Sequence, residues 1–333
     1  MFLSVIIPTR DRSVLLGRAL ESLAVQTYPR EKFEVIVVDN GSTDNTALTC
    51  QPYKKKFKHF TYIIENNPGL HNARHKGLFS AKGDVLVFID DDVEPFPTWL
   101  EGIQEAFVET SAVLVGGKDL PRFQAPSPWW VTKMWKNENG YGKTLTFLSL
   151  LDFGDSIREI RPWFVFGCNF AIRKKVLLEA GGFHPDSMPP ELIKYRGDGE
   201  SWVCRYIYQK GYTALYHPKA SVYHVIPPGR LTLDYFLQRA FMQGITWSYE
   251  VERYDIPQQR NKIIKAFRLG ILKSLKTLVK TNFSFPGILE EYRFNKIMKA
   301  INRSFKQGFT YHRDMTDRDP ELRGWVKKEN YYV

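Results

Sequence analysis

Val85-Leu86-Val87-Phe88-Ile89-Asp90-Asp91-Asp92 sets an unbroken apolar run against three consecutive carboxylates. Five apolar residues, with β-branched Val85, Val87 and Ile89 among them, are too few for a helix. They suit a strand buried on both faces. Neighbouring carboxylates repel, and burying them costs free energy unless a cation, a donor group or water compensates. A hard divalent ion such as Mg²⁺ or Mn²⁺ would do so, bridging one or two carboxylates to a substrate phosphate. In open α/β sheets ligands bind outside the carboxyl ends of the strands. For three aspartates taken alone, a solvated turn is the plain alternative.

Working outwards, residues 4–8 (Ser-Val-Ile-Ile-Pro), 33–38 and 60–64 read as further strands. Helical spacing of apolar residues runs over 13–22 and 72–80. Strand and helix alternating in this way predict a mostly parallel sheet covered by helices on both faces. Polar clusters follow three of the strands: Pro8-Thr9-Arg10-Asp11-Arg12, Asp39 to Asp44, and Asp90-Asp91-Asp92. A fourth, Gly69 to Arg74, leads a helix. All can lie on one carboxyl edge of one sheet, where a nucleotide would sit.

Beyond Asp92 the spacing predicts a helix over 99–108, a strand over 112–117, a strand over 164–172, helices over 174–180 and 201–210, and short strands over 212–216 and 220–224. Residues 121–145, with Trp129, Trp130 and Trp135 among prolines and glycines, read as a long aromatic loop of the kind that binds ligands or closes over them. Tryptophans that simply pack over the core are the alternative.

The 333 residues suffice for one large domain with an extension, or for two domains. A hydrophobic content of 43% excludes wholesale disorder. Cys50, Cys168 and Cys204 are odd in number and lack metal-type spacing, which argues against a disulfide scaffold or a zinc site. No apolar run reaches the length of a membrane span, and the first residues lack the basic region of a signal peptide, so a cytoplasmic protein is expected. The net charge of +11 is uneven: from Val251 onwards there are 18 Lys and Arg against 9 Asp and Glu, and before it 29 against 27. The basic tail points to an anionic partner surface.

In combination, the motifs of residues 1–250 resemble those of the family 2 glycosyltransferases. Ser4 to Thr9 is similar to that family's opening strand. Val37-Val38-Asp39-Asn40-Gly41-Ser42-Thr43-Asp44 resembles its VVDDGSTD element, with Asn40 where a second aspartate is usual. Ala73-Arg74-His75-Lys76-Gly77 resembles ARNxG, with His75 for asparagine. Phe88-Ile89-Asp90-Asp91-Asp92 resembles the DxD element, and Phe166 to Ala171 with Gly181-Gly182-Phe183 resembles the acceptor-side strand and its turn.

The resemblance implies a GT-A fold, with a nucleotide-sugar half over about 1–118 and an acceptor half over about 119–250; beyond it, the spacing and charge of the residues themselves predict a helical basic extension over 251–333. It implies an inverting transfer from a nucleotide sugar, a UDP-sugar by preference, to a hydroxyl of a glycan or lipid-linked saccharide. Asp39 would meet the imide of uracil, with Pro8, Thr9, Arg10 and Arg74 holding the base and its surroundings. Asp90 and Asp91 would face the ribose and the donor sugar. Asp92 would bind the Mn²⁺ or Mg²⁺ that supports the departing diphosphate, with His224 as a further ligand. Arg230 would clamp the diphosphate. Asn169, Trp129 and Trp130 would meet the sugars.

The resemblance places the base within Gly197-Asp198-Gly199-Glu200, in the acidic element that family members carry before a helix ending in Arg-x-x-x-x-Gly. Alignment on Arg205 favours Asp198, with Glu200 as the alternative. Acidic residues at a helix N-terminus are also explained by capping alone.

Residues 262–280 place Ile263, Phe267, Ile271, Leu275 and Leu278 on one helical face and five lysines on the other. An interfacial helix on an anionic membrane is expected from this, giving peripheral attachment; a helix packed on the body is the alternative. Two rivals are weaker. A sugar nucleotidyltransferase should carry a glycine-rich loop after its first strand, and Pro8 to Arg12 has no glycine. A nucleic-acid-binding module would use the basic tail, but the near-neutral body argues against nucleic acid as a partner.

Overall fold

The structure, a computed structural model, describes residues 1–136, 138–256 and 285–332. The expected interfacial helix over 262–280 lies outside these residues. Two compact units form: Met1–Pro126 with Glu138–Pro228 and Lys328–Val333, and Ser127–Asn137 with Gly229–Lys327.

The first unit is built on strands β1 (Leu3–Thr9), β2 (Phe33–Asp39), β3 (Phe60–Ile64), β4 (Val85–Ile89), β5 (Val93–Pro95), β6 (Leu114–Gly116), β7 (Asp119–Phe123), β8 (Glu138–Asn139), β9 (Gly142–Leu145), β10 (Leu150–Asp152), β11 (Arg158–Ile160), β12 (Asn169–Arg173), β13 (Ala214–Tyr216) and β14 (Val222–Ile226). One sheet has the order β11-β13-β6-β12-β4-β1-β2-β3, the other β5-β14-β7-β10-β9-β8. In the larger sheet β3, β2, β1 and β4 are parallel neighbours, and β12 runs antiparallel between β4 and β6. Every residue of β1, β2 and β4 is buried. This is why these strands read as continuous apolar runs and not as alternating ones.

The helices of this unit are α1 (Ser13–Ala24), α2 (Thr46–Cys50), α3 (Tyr53–Lys56), α4 (Leu70–Ser80) and α5 (Trp99–Glu109), followed by two more at Lys174–Glu179 and Glu200–Gln209. Leu16, Leu20, Ile103 and Phe107 join Val5, Val35 and Val87 in one core, while Ala73, Leu78 and Phe183 join Ile6, Ile36 and Phe88 in another. The two cores lie on opposite faces of one sheet, as alternation along a strand requires. The helix α4 sits close: a Cβ on Gly77 would fall 2.3 Å from Ile6 Cγ2. Only glycine lets the helix backbone come that near to β1.

The described residues of the second unit are mostly helical. The helix Leu233–Arg253 is capped by the Thr232 side chain, which accepts from the Tyr235 amide, and runs beside Phe285–Arg318. Ser304 Oγ donates to the Leu237 carbonyl (2.6 Å), and His312 Nδ1 meets Ser248 Oγ (3.0 Å). Here the structure departs from the expected aromatic loop. Trp129–Lys136 is a helix of this unit, with Trp130 edge-on to Phe236 at 4.7 Å and Lys133 paired to Glu291 at 3.0 Å. Pro128 precedes it and accepts from the Thr132 amide, a position proline tolerates. The strand expected over 164–172 is also shorter. Pro162–Phe164 makes a 3₁₀ turn, and β12 begins only at Asn169.

Candidate active site

Strand order reverses at β1, which has β2 on one side and β4 on the other. Such a reversal opens a crevice beyond the strands' carboxyl ends. Thr9 ends β1, Asp39 ends β2, and Asp90 follows β4. The fold thereby brings three of the four polar clusters together, and contacts among their side chains close the group. Thr9 Oγ1 donates to Asp91 Oδ2 at 2.7 Å. Arg12 Nη1 donates to Asp91 Oδ1 at 2.7 Å and to Asp92 Oδ2 at 2.9 Å. Burial pushes the Asp91 carboxyl up to about 6, Arg12 opposing this and the Asp92 charge adding to it.

Asp39 accepts from the Ser42 amide (2.7 Å) through Oδ1 and from the Tyr62 hydroxyl through Oδ2. Burial, with Asp39 adding to it, raises the pKa of that phenol. Asn40 explains its departure from the usual aspartate. Its Nδ2 donates to the carbonyls of Glu65 (2.9 Å) and Asn67 (2.7 Å), and its Oδ1 accepts from the Gly69 amide (3.2 Å). A carboxylate could accept from Gly69 but could not donate to the two carbonyls. Asn40 thus ties the end of β2 to the loop that leads α4.

From α4, Arg74 reaches the same place. It is 2% exposed, with Nη2 at 3.6 Å from Asp90 Oδ1, Nη1 at 3.3 Å from Glu200 Oε2, and Nη2 donating to the Gly167 carbonyl at 3.2 Å. Burial alone would lower the pKa of this guanidinium; Glu200 and Asp90 overcome that and raise it. Glu200 Oε1 in turn accepts from the Gly167 amide at 3.2 Å. Burial raises the Asp90 carboxyl, Arg74 opposing it. Arg74 therefore joins a carboxylate of the β4 end to a carboxylate of the Glu200–Gln209 helix.

The two candidate bases point apart. Gly199 has φ +55°, ψ −125°, a conformation open to glycine, and caps the Glu200–Gln209 helix. Asp198, before it, has a side chain with 0% exposure and pairs with His184 Nδ1 at 2.6 Å; His184 stacks on Trp202 at 4.9 Å. Glu200, after it, is 27% exposed beside Arg74 and Asp90. Glu200 is thus the more exposed of the two, and Asp198, favoured by the alignment, the more buried. The backbone turn at Gly199 sends that carboxylate inwards.

Other expected residues fall as follows. Pro8 lies in β1 opposite Val38, beyond the last residue paired with β4, and Arg10 is exposed beside Asp11. His224 Nε2 is 3.4 Å from Asp92 Oδ1, because β14 pairs with β5 and the Val225 amide donates to the Asp92 carbonyl. Asn169, expected to meet the sugars, is the first residue of β12. It is 2% exposed, donating to Asp119 (3.1 Å) and the Ala220 carbonyl (3.0 Å) and accepting from Trp99 (2.9 Å). Trp129, Trp130 and Arg230 belong to the second unit; Trp130 is 8% exposed and part of that unit's packing. Arg12 and His184 were not assigned roles from sequence. Arg12 stood in the right cluster, but nothing in the spacing distinguished it from Arg10.

Among the described residues no three His, Cys, Asp or Glu side chains form a metal cage. A carboxylate and an imidazole 3.4 Å apart are nonetheless a fitting partial donor set. Mg²⁺ and Mn²⁺ use one or two carboxylates and take further ligands from water and substrate phosphates, and imidazole suits Mn²⁺.

The sequence profile described as Glycosyl transferase family 2 matches residues 4–180. Glucosyl-dolichyl phosphate glucuronosyltransferase of Haloferax volcanii is 27% identical over 295 residues, covering 84% of this chain and 88% of that protein. Glycosyltransferase AglE of the same organism is 36% identical over 117 residues, 35% of this chain, and the match spans only 38% of that relative's length. The mannosyltransferase PcManGT from Pyrobaculum calidifontis, solved with GDP-Man and Mn²⁺, superposes with a TM-score of 0.57 at 17% identity, over 96% of this chain and 87% of that one. At such identity the likeness speaks to the fold, which is GT-A. With the profile covering more than half of its residues and the strand-end clusters in the matched region, the chain belongs to glycosyl transferase family 2.

Proposed function

We propose that the chain is an inverting glycosyltransferase that moves a sugar from a nucleoside diphosphate to a hydroxyl of a glycan or lipid-linked saccharide, with Glu200 as the base. One observation carries the proposal: Arg74 holds Asp90 on one side, at 3.6 Å, and Glu200 on the other, at 3.3 Å. A donor-side carboxylate and an acceptor-side carboxylate are thereby fixed across one guanidinium. Asp39 at the end of β2 would receive the base, and a uracil imide suits its acceptor oxygens. Asp90 and Asp91 would meet the ribose and sugar hydroxyls. Asp92 with His224 would hold the divalent ion, which supplies Lewis-acid stabilisation of charge on the leaving diphosphate. Glu200, partly exposed, would take the proton from the acceptor hydroxyl as that oxygen attacks the anomeric carbon. Asp198, paired with buried His184, would position the start of the Glu200 helix. The lipid-linked acceptor named for the Haloferax volcanii glucuronosyltransferase supports the same acceptor class here.

The test is a panel of UDP- and GDP-sugars offered with Mn²⁺, scored for nucleoside diphosphate release and for thermal stabilisation. A donor bound by the folded state raises the melting temperature by mass action, so one sugar nucleotide should stand out. A panel in which none stabilises the protein or is turned over would sink the reading.

A further inference from the structure

Among the described residues Arg12 is paired to two carboxylates of the aspartate triplet, and the transfer outlined above gives it no task. Its Nη1 spans Asp91 Oδ1 at 2.7 Å and Asp92 Oδ2 at 2.9 Å. The two carboxylates are 4% and 2% exposed, while the Arg12 side chain is 37% exposed. The carboxylates are therefore fixed by packing, and the guanidinium has room to leave. Its backbone has none. Asp11 sits at φ +52°, its carboxylate accepting from the Thr43 amide at 2.7 Å and its amide donating to Ser42 Oγ at 2.9 Å. The Ser13 amide donates to Asp44 at 2.9 Å. Residues 11–13 are thus pinned to the loop that follows Asp39, and only the side chain of Arg12 can swing.

We propose that Arg12 is a place-holder for the divalent ion: it occupies Asp92 until the donor's diphosphate draws the guanidinium away, so that metal and nucleotide bind cooperatively. The proposal rests on the reading of Asp92 as the ion's ligand. An arginine fork matches phosphate as well as carboxylate, so the same group can serve both partners in turn. While it spans Asp91 and Asp92, the carboxylate is shared with a cation and is a poorer ligand. Once it moves to the diphosphate, Asp92 is released to the metal and the leaving group gains a fixed positive charge.

Mn²⁺ titrations followed by the electron paramagnetic resonance of the free ion, with and without UDP or GDP, test this in the full chain. Arg12→Gln should bind Mn²⁺ alone about tenfold more tightly than the parent, the scale of one charge-assisted hydrogen bond. The gain in Mn²⁺ affinity that nucleotide brings should shrink by the same factor. Arg12→Lys keeps the charge without the fork and should tighten Mn²⁺ binding less, in the same direction. It also serves if the glutamine variant fails to fold. An unchanged or weaker Mn²⁺ affinity in the folded variant, or no detectable binding without nucleotide in either protein, overturns the proposal. Asp92→Asn separates the two readings: Mn²⁺ binding with nucleotide that survives this change overturns the metal assignment itself.

Discussion

At the scale of single residues, the two carboxylates around Gly199 make the sharpest contrast. Glu200→Gln keeps the size and an acceptor oxygen but removes the basicity. It should lower kcat by about 10²-fold or more while leaving donor affinity nearly unchanged, with some loss of melting temperature because buried Arg74 loses a paired charge. Asp198→Asn should reverse that balance, lowering the melting temperature through the lost charge-assisted bond to His184 and reducing kcat less; single-turnover rates and melting curves on both variants distinguish them. Asn40 offers an independent check. Asn40→Asp would set a carboxylate against the carbonyls of Glu65 and Asn67. It should cost about 1–3 kcal/mol in urea unfolding, the penalty of leaving buried acceptors unsatisfied. The existence of an acidic pair before a helix was legible in the sequence, but its direction was not. Counting from Arg205 identifies positions along the chain, whereas the positive φ of Gly199 decides which carboxylate turns inwards. Arg12 escaped for the same reason, since Asp11 at φ +52° sets where it points.

At the scale of elements, α4 connects the strand-end cluster to the segment that follows β12. His75 Nε2 accepts from the Phe183 amide at 2.9 Å, and Tyr332 packs edge-on to its ring at 4.8 Å. His71, one turn earlier, meets Tyr331 at 6.4 Å. Burial pushes the His75 imidazole down to about 4 and the His71 imidazole down to about 3. Both are depressed below the ordinary value, so the unfolded chain gains protons first as pH falls. The stability these groups contribute is present above about pH 6.5 and is lost as pH falls through about 4. The melting temperature should accordingly decline between pH 6.5 and 4, and His75→Asn should flatten that decline. The strands of this region were plain in the sequence because burial on both faces leaves no polar alternation to misread. The helix Trp129–Lys136 was not, because neighbouring prolines and glycines marked a loop while its tryptophans pack on Phe236 and Phe294, more than 100 residues along the chain.

At the scale of the whole molecule, the strand-end cluster proposed as the active site and the excess positive charge belong to different parts of the chain. Thr9, Arg12, Asp39, Arg74, the aspartate triplet, Glu200 and His224 all lie in the first unit. Residues 262–280, outside the described residues, hold five lysines interspersed with apolar residues. Among the described residues no helix is long and apolar enough to cross a membrane. If these lysines meet an anionic surface, each contributes about 1 kcal/mol near it. Sedimentation with phosphatidylserine vesicles should then fall as salt is raised and drop when the five lysines become glutamine, whereas phosphatidylcholine vesicles should bind weakly in every case. The central claim concerns the strand-end crevice, and calorimetric titration of UDP and GDP in Mn²⁺, with the parent and with Asp92→Asn, tests it most directly. Binding of one nucleotide by the parent, lost on chelation and weakened about 10²-fold or more by the substitution, is the result expected; equal, metal-independent binding by both proteins would contradict the account.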